Sequence, residues 1–197
     1  MSLHPFKRAN LPDSLWKNGG GSTCEIACWP PDAGLTDFGW RVSIARIAQS
    51  GPFSVFAGVD RHIMLLEGSG VQLHSPQGNF DHALDEPHVP FAFSGDVAVD
   101  CTLRGEASSD FNVMTRRGLW RAEVQVLAHA TQMAPTAHGV LMVLDGHWRI
   151  SDGGAGEPSS LEAGDGLCWA DSSQAWQLTP QGPEARLVLV RFTKVDI

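Results

Sequence analysis

The chain has 197 residues, of which 43% are hydrophobic and 18% are charged, so it can bury a sizeable core. Its formal net charge is −8 and it carries no stripe of Lys and Arg, which argues against a nucleic-acid partner. No apolar run approaches the roughly 18 residues that a membrane span needs, and no apolar segment follows the first basic residues. We therefore expect a cytoplasmic protein with no membrane partner.

The first informative feature in chain order is the run Trp16-Lys17-Asn18-Gly19-Gly20-Gly21-Ser22-Thr23. Consecutive glycines permit positive φ angles and close approach by another group, and adjacent N–H groups in such a loop can form an anion-binding concavity. The alternative interpretation is a tight turn without a ligand. The run lacks the Lys-Ser/Thr ending of a phosphate loop, so it does not indicate a nucleotide site.

The segment Cys24-Glu25-Ile26-Ala27-Cys28 does not have the C-x-x-C spacing of zinc or redox sites. If this segment is a strand, its two cysteines face the same way. We expect these cysteines, with Cys101 and Cys168, to be free and mostly buried thiols in a reducing cytoplasm.

Short apolar runs bounded by Gly, Pro, Asp or Ser predict an all-β protein. The clearest strand is Trp40 to Ile47, where apolar and polar residues alternate through Ile44, so that Arg41 and Ser43 share one face. Further runs predict strands at Ile63 to Leu66, Val97 to Leu103, Leu141 to Leu144 and Leu187 to Phe192.

An internal repeat indicates the architecture. Met64-Leu65-Leu66-Glu67-Gly68 matches Met142-Val143-Leu144-Asp145-Gly146, 78 residues later. The second copy continues into Leu161-Glu162-Ala163-Gly164-Asp165-Gly166-Leu167, which resembles the turn and strand of a cupin barrel. We therefore predict a bicupin of two fused jelly-roll β-barrels, residues 1–118 and 119–197, in one compact unit with strands that could be exchanged between the halves.

Many cupins bind a metal through an H-x-H pair, a Glu and a third His. None of the eight histidines forms an H-x-H pair, and the two matching places hold only His62 and His138. We therefore expect no bound metal and no other cofactor. If a metal were bound, His62 and His88 would be the residues to examine, although hydrogen-bonded structural roles fit them better.

Several polar residues could instead line a ligand pocket. Arg41 and Ser43 share a strand face, Arg61 precedes an apolar strand, and Phe53-Ser54-Val55-Phe56 supplies an aromatic wall. In the segment from Asp110 to Gly118, Asn112 and Met114 lie on one face. The guanidinium group of an arginine can bind a small carboxylate through two hydrogen bonds. For each arginine, the alternative is an ion pair within the protein. The linear order shows no nucleophile-base set.

The chain resembles the HutD/Ves family of bacterial bicupins over about residues 5 to 192. The resemblance lies in the order of the glycine run, Trp40-Arg41-Val42-Ser43-Ile44-Ala45, Gly51-Pro52-Phe53-Ser54, Gly58-Val59-Asp60-Arg61, Phe91-Ala92-Phe93-Ser94-Gly95-Asp96 and Asp110-Phe111-Asn112-Val113-Met114.

This resemblance implies a non-enzymatic protein of histidine utilisation. Such a protein would bind a small anionic metabolite, with N-formyl-L-glutamate as the leading candidate, and would restrain the induction of the pathway. The family motifs carry over to eight ligand-binding candidates in this chain: Asn18, Gly20, Thr23, Arg41, Ser43, Arg61, Asn112 and Met114.

Two other interpretations stay open at this point. One is a metal-dependent cupin enzyme, an isomerase or hydrolase that acts on a small carboxylate. The other is a protein-interaction role. A homodimer is one way to cover the strand edges of each barrel, and the sequence does not decide it.

Overall fold

The computed structural model describes residues 3–152, 158–171 and 173–195. The described residues form nineteen strands and one short 3-10 helix, Arg8–Asn10, which confirms the all-β prediction. Within the described part of the chain, no helix has the length and apolar character that a membrane span requires.

The chain divides into two compact units. The N-terminal unit is Pro12–Leu119, and the C-terminal unit combines Met1–Leu11 with Trp120–Ile197. The first residues belong to the C-terminal unit because the opening strand, β1 (His4–Lys7), pairs antiparallel with Asp165 to Cys168.

The N-terminal unit contains ten strands. They are β2 (Asp13–Leu15), β3 (Gly21–Trp29), β4 (Trp40–Ile47), β5 (Gly51–Pro52), β6 (Val59–Glu67), β7 (Val71–His74), β8 (Asp81–Leu84), β9 (Phe91–Ser94), β10 (Asp100–Leu103) and β11 (Ser108–Arg116). They form a six-stranded sheet in the order β2-β3-β4-β11-β6-β9 and a four-stranded sheet in the order β5-β10-β7-β8.

The C-terminal unit contains β1 and eight further strands. These are β12 (Trp120–Leu127), β13 (Thr131–Gln132), β14 (His138–Asp145), β15 (His147–Ser151), β16 (Ser159–Glu162), β17 (Asp165–Trp169), β18 (Gln177–Pro180) and β19 (Arg186–Lys194). They form a five-stranded sheet in the order β1-β17-β14-β19-β12 and a four-stranded sheet in the order β13-β18-β15-β16.

The two units repeat one eight-strand topology. The orders β4-β11-β6-β9 and β5-β10-β7-β8 of the N-terminal unit reappear as β12-β19-β14-β17 and β13-β18-β15-β16. The sequence repeat marks this symmetry, because Met64 lies on β6 and Met142 lies on β14. Strand β3 is the addition at one edge of the N-terminal six-stranded sheet, extended by β2.

Each unit packs its core between its two sheets. In the N-terminal unit, Ile63 and Leu65 of the six-stranded sheet pack with Leu73 and Cys101 of the four-stranded sheet. We call the side of the six-stranded sheet that bears Ile63 and Leu65 its inner face. In the C-terminal unit, Leu141 and Leu189 pack with Trp148 in the same way.

The expectation that Cys24 and Cys28 share a face is wrong. The pairing of β3 with β4 shifts between Glu25 and Ala27, which marks a β-bulge. The extra residue reverses the alternation, so Cys24 lies opposite Ile44 on one face and Cys28 lies opposite Arg41 on the other. All four cysteines are free.

Candidate functional site

A polar patch interrupts the apolar inner face of the N-terminal unit. Strand register places Arg41, Met114 and Arg61 in one row across β4, β11 and β6. Ser43 and Asn112 lie in the adjacent row, because side chains two residues apart on a strand share a face. The structure therefore brings together five of the eight candidates on strands β4, β6 and β11, and it places Arg61 within β6 rather than before that strand.

Arg61 is the most enclosed cation of this patch, with 7% of its surface exposed. Its guanidinium lies 5.0 Å from the ring centroid of Phe93 and 5.6 Å from those of Phe53 and Phe56. Nη2 donates a hydrogen bond to Oδ1 of Asn112 at 3.2 Å. Burial lowers the pKa of Arg61 to about 10, which leaves it charged at neutral pH. The predicted aromatic wall thus stacks on a buried cation.

Arg61 also has an unused donor. Its Nε is buried and has no hydrogen-bond partner among the described residues. A buried donor without a partner costs about 1–3 kcal/mol, so it is a strong candidate to contact a ligand.

Arg41 is less enclosed and is paired within the protein. Its Nε donates to Oε2 of Glu25 at 2.6 Å, and its Nη1 donates to Oγ of Ser43 at 3.4 Å. The side chain of Arg41 is 12% exposed, whereas that of Glu25 is 42% exposed. The partner of Arg41 therefore lies at the solvent side, where an incoming anion could replace it.

The sequence patterns do not single out Asp110, a buried acid on the same face. Asp110 is 2% exposed and lies opposite Ala45 on β4 and Leu65 on β6. Burial raises the pKa of its carboxyl to about 7, and attraction from Arg61 opposes that rise. The spacing in the sequence could have identified Asp110, since it precedes Asn112 by two residues and Met114 by four, and such residues share one face of a strand.

The glycine run forms the turn between β2 and β3. Asn18 is exposed, and its Oδ1 accepts a hydrogen bond from the N–H of Gly20 at 3.0 Å. The carbonyl of Gly20 accepts hydrogen bonds from the N–H groups of Ala48 and Gln49. A Cβ at Gly21 would lie 2.1 Å from the carbonyl oxygen of Arg46, so only glycine fits there. These contacts explain the run as a tightly packed turn, and an anion-binding role for it stays a prediction.

Thr23 belongs to the sheet rather than to the turn. It lies opposite Ala45 on the inner face, and its Oγ1 accepts a hydrogen bond from Nε1 of Trp16 at 2.8 Å. Thr23, Ala45 and Asp110 therefore form one row across β3, β4 and β11. Of the candidates from the glycine run, Thr23 is the one placed on the polar face.

The C-terminal unit differs from the N-terminal unit at the positions that match Arg61, Asp110 and Asn112. The place of Arg61 is taken by Gly139, where a Cβ would lie 2.3 Å from the ring of Trp169. The places of Asp110 and Asn112 are taken by Leu187 and Leu189, which lie opposite Val143 and Leu141. The shared topology thus places apolar residues at these three positions, whereas the places of Arg41 and Met114 are taken by Glu123 and Arg191, which form an ion pair at 2.6 Å.

Comparison with known proteins identifies the family. The HutD family profile matches residues 8–188. The chain is 40% identical to the protein Ves of Citrobacter koseri over 189 residues, which are 95% of this chain and 93% of that protein. The chain belongs to the HutD family. The predicted resemblance is therefore confirmed.

Two solved structures share both sequence and fold with this HutD-family chain. A conserved protein of unknown function from Pseudomonas aeruginosa PAO1 is 36% identical with a TM-score of 0.85, covering 98% of this chain and 99% of that one. HutD from Pseudomonas fluorescens SBW25 is 30% identical with a TM-score of 0.82 and the same coverage.

More distant structures establish that the fold is cupin-like. The protein Ylba from E. coli is 9% identical with a TM-score of 0.70, and covers 100% of this chain and 93% of that one. A variant of oxalate decarboxylase from Bacillus subtilis is 10% identical with a TM-score of 0.63, and covers 100% of this chain and 78% of that one. At these identities the likeness concerns the fold alone.

The inner-face residues of this HutD-family chain do not suit a metal ion. Glu25 is already paired with Arg41, and the charge of Arg61 acts on the buried Asp110, so both acids lie where positive charge repels a cation. His62 points to the opposite face, because it neighbours Arg61 on β6. Within the described residues, no three His, Cys, Asp or Glu side chains are grouped so that they could hold a metal.

Proposed function

We propose that the protein binds a small anionic metabolite on the inner face of its N-terminal unit and acts as a non-enzymatic regulatory protein of histidine catabolism. The ligand is an acidic intermediate such as N-formyl-L-glutamate. The observation that carries this proposal is the pair of guanidinium groups, Arg41 and Arg61, that flank Met114 on one partly enclosed face.

The spacing of the two arginines suits a dicarboxylate. Their strands are separated by β11, so their backbones lie about 10 Å apart. Two guanidinium groups reaching inward from that distance can each hold one carboxylate of a five-carbon diacid. One carboxylate would replace Glu25 on Arg41, and the other would accept a hydrogen bond from the free Nε of Arg61.

Family membership supports the pathway and the architecture. The HutD profile and the solved HutD of Pseudomonas fluorescens link this chain to proteins named for histidine utilisation. The repeated eight-strand topology and the cupin-like neighbours support a bicupin of two jelly-roll barrels. The proposal needs no cofactor and no second chain.

Isothermal titration calorimetry tests the ligand assignment. Purified protein is titrated with N-formyl-L-glutamate, L-glutamate and urocanate at neutral pH. We expect saturable binding of N-formyl-L-glutamate that is tighter than binding of the other two. Folded protein that releases no heat with any of the three compounds would refute the proposal.

A second measurement distinguishes binding from catalysis. The protein is incubated with each compound, with and without added Mn²⁺, Fe²⁺ or Zn²⁺, and the mixture is followed by NMR. We expect every compound to be recovered unchanged. Turnover that follows the protein concentration would replace the binding role with the enzymatic alternative.

A further inference from the structure

Asp110 is the one acid of the polar patch that solvent does not reach. It is 2% exposed, and its Oδ2 has no hydrogen-bond partner among the described residues. Arg61, whose charge acts on Asp110, is also buried, and its Nε has no hydrogen-bond partner among the described residues. A buried acceptor and a buried donor without partners thus lie on one face.

The fold does not require an acid at this position. The same eight-strand topology in the C-terminal unit places Leu187 there, opposite Val143, and this leucine is fully buried. Because a leucine occupies the matching position in the C-terminal unit, the carboxyl of Asp110 has a role other than the packing of the fold. Asp110 lies between Ser108 and Asn112 on the inner face, so this role concerns the polar patch.

The charges around Asp110 balance before a ligand arrives. Strand β6 contributes Arg61, strand β4 contributes Arg41, strand β3 contributes Glu25, and strand β10 contributes the thiol of Cys101. Burial raises the pKa of Cys101 to about 12, so this thiol stays neutral. Two cations and two carboxylates therefore face the patch.

An anionic ligand adds negative charge to this enclosed site. The side chain of Glu25 is 42% exposed, so solvent screens its charge, whereas solvent does not reach the carboxyl of Asp110. The least costly way to accommodate the ligand is to neutralise the buried carboxylate. A neutral Asp110 then becomes a hydrogen-bond donor.

We propose that the protein binds its anion together with one proton, which is held on Asp110, and that the Asp110 O–H donates a hydrogen bond to an oxygen of the ligand. This inference rests on the proposed function and deepens it. It requires a ligand with an acceptor oxygen at the buried end, such as a carboxylate or a formyl oxygen. Asp110 is then a ligand contact beside the two arginines. The raised pKa of the free carboxyl agrees with a group that takes up a proton near neutrality.

Calorimetry in two buffers measures the proton directly. N-formyl-L-glutamate is titrated at pH 8 in phosphate and in Tris, whose ionisation enthalpies differ, and the difference in observed heat gives the protons taken up. We expect the wild-type protein to take up close to one proton, and its affinity to fall up to tenfold for each pH unit above about 7. The Asp110→Asn variant, which keeps a donor, should bind with no proton uptake and with an affinity independent of pH.

The Asp85→Asn variant is the matched control, because it removes an exposed carboxylate that pairs with Arg104 and is not part of the patch. Its proton uptake should equal that of the wild type. Binding without proton uptake by the wild type, or equal uptake by Asp110→Asn, would overturn this inference and leave the proposed function intact. An absence of heat from the wild type in both buffers would instead overturn the proposed function, and this inference with it.

An infrared measurement keeps the inference testable if Asp110→Asn does not fold. Addition of N-formyl-L-glutamate to the wild type at pH 8 should produce the carbonyl band of a protonated carboxylic acid, and ¹³C labelling of aspartate should shift it. Binding without such a band would overturn the inference.

Discussion

Arg41 and Arg61 lie opposite the same residue, Met114, from the two strands that flank β11. They share one face of the sheet, but their surroundings differ. Arg41 is paired with an exposed acid, whereas Arg61 is stacked on three phenylalanine rings with one nitrogen unbonded. One cation therefore faces solvent through an exchangeable partner, and the other forms the buried end of the patch.

Replacing Arg41 tests the solvent side of the patch. Arg41→Ala removes a charged hydrogen-bond donor and leaves Glu25 unpaired near the ligand, so binding of N-formyl-L-glutamate should weaken by about 1.5–3 kcal/mol, or roughly 10- to 150-fold. The control is Arg46→Ala, because the side chain of Arg46 is exposed and lies on the outer face of the same strand. Calorimetric affinities equal for Arg41→Ala and the wild type would remove Arg41 from the site.

The pH dependence of stability should report Asp110. The pKa of this carboxyl is about 7 in the folded protein, against an ordinary value of 3.8. Between these values the folded state binds more protons than the unfolded state, so stability falls as pH rises from about 4 to 7, by up to about 1.4 kcal/mol per pH unit, and then levels off.

Urea unfolding of the wild type and of Asp110→Asn at a series of pH values isolates this contribution. Burial lowers the pKa of His62 and of His138, so each histidine makes stability rise with pH and opposes the effect of Asp110. Both histidines act equally in the two proteins, so their effects cancel in the difference between the two unfolding free energies. We expect the wild type to lose stability relative to Asp110→Asn as pH rises toward 7. A constant difference across that range would show that Asp110 is already ionised.

Arg61 should hold down the pKa of Asp110. Its charge is the attraction that opposes the effect of burial on this carboxyl. Arg61→Met removes the charge while keeping an apolar side chain against the phenylalanine rings, so the stability decline should extend above pH 7. Arg104→Met, which breaks an exposed ion pair with Asp85, should leave the pH range of the stability decline unchanged. If the pH range of the stability decline were unaltered in Arg61→Met, the charge of Arg61 would not affect the pKa of Asp110.

The glycine run should tolerate substitution unevenly. Gly21→Ala places a Cβ 2.1 Å from the carbonyl oxygen of Arg46, so backbone must move, and we expect a loss of about 1–3 kcal/mol in unfolding free energy. The control is Gly51→Ala, where a Cβ meets nothing within 4 Å, and the change should stay within about 0.5 kcal/mol. Similar denaturation midpoints for the two variants would contradict the packing described for the turn.

Sequence patterns predicted the parts of the fold that follow a simple period. Alternation at Trp40 to Ile44 placed Arg41 and Ser43 on one face of β4, and the match between Met64 and Met142 predicted two related halves. The pattern failed where the period breaks. The β-bulge between Glu25 and Ala27 leaves no mark in residue type, so the facing of Cys24 and Cys28 was wrong.

The site was only partly predictable for a related reason. Strand β11 is buried on both faces, so polarity alone does not separate its inner from its outer residues. The family motif identifies Asn112 and Met114 as candidates, whereas Asp110 in the same motif is not among them. Its role depends on the non-local register that places it on one face with Arg61, 49 residues earlier in the chain.

The measurement that tests the central claim most directly is a crystal structure of the protein soaked with N-formyl-L-glutamate. The account predicts electron density for one ligand on the inner face of the N-terminal unit, with carboxylate oxygens within hydrogen-bond distance of Arg41 and Arg61 and an oxygen beside Asp110. Density for the ligand elsewhere on the chain, with Arg41 still bonded to Glu25, would contradict it.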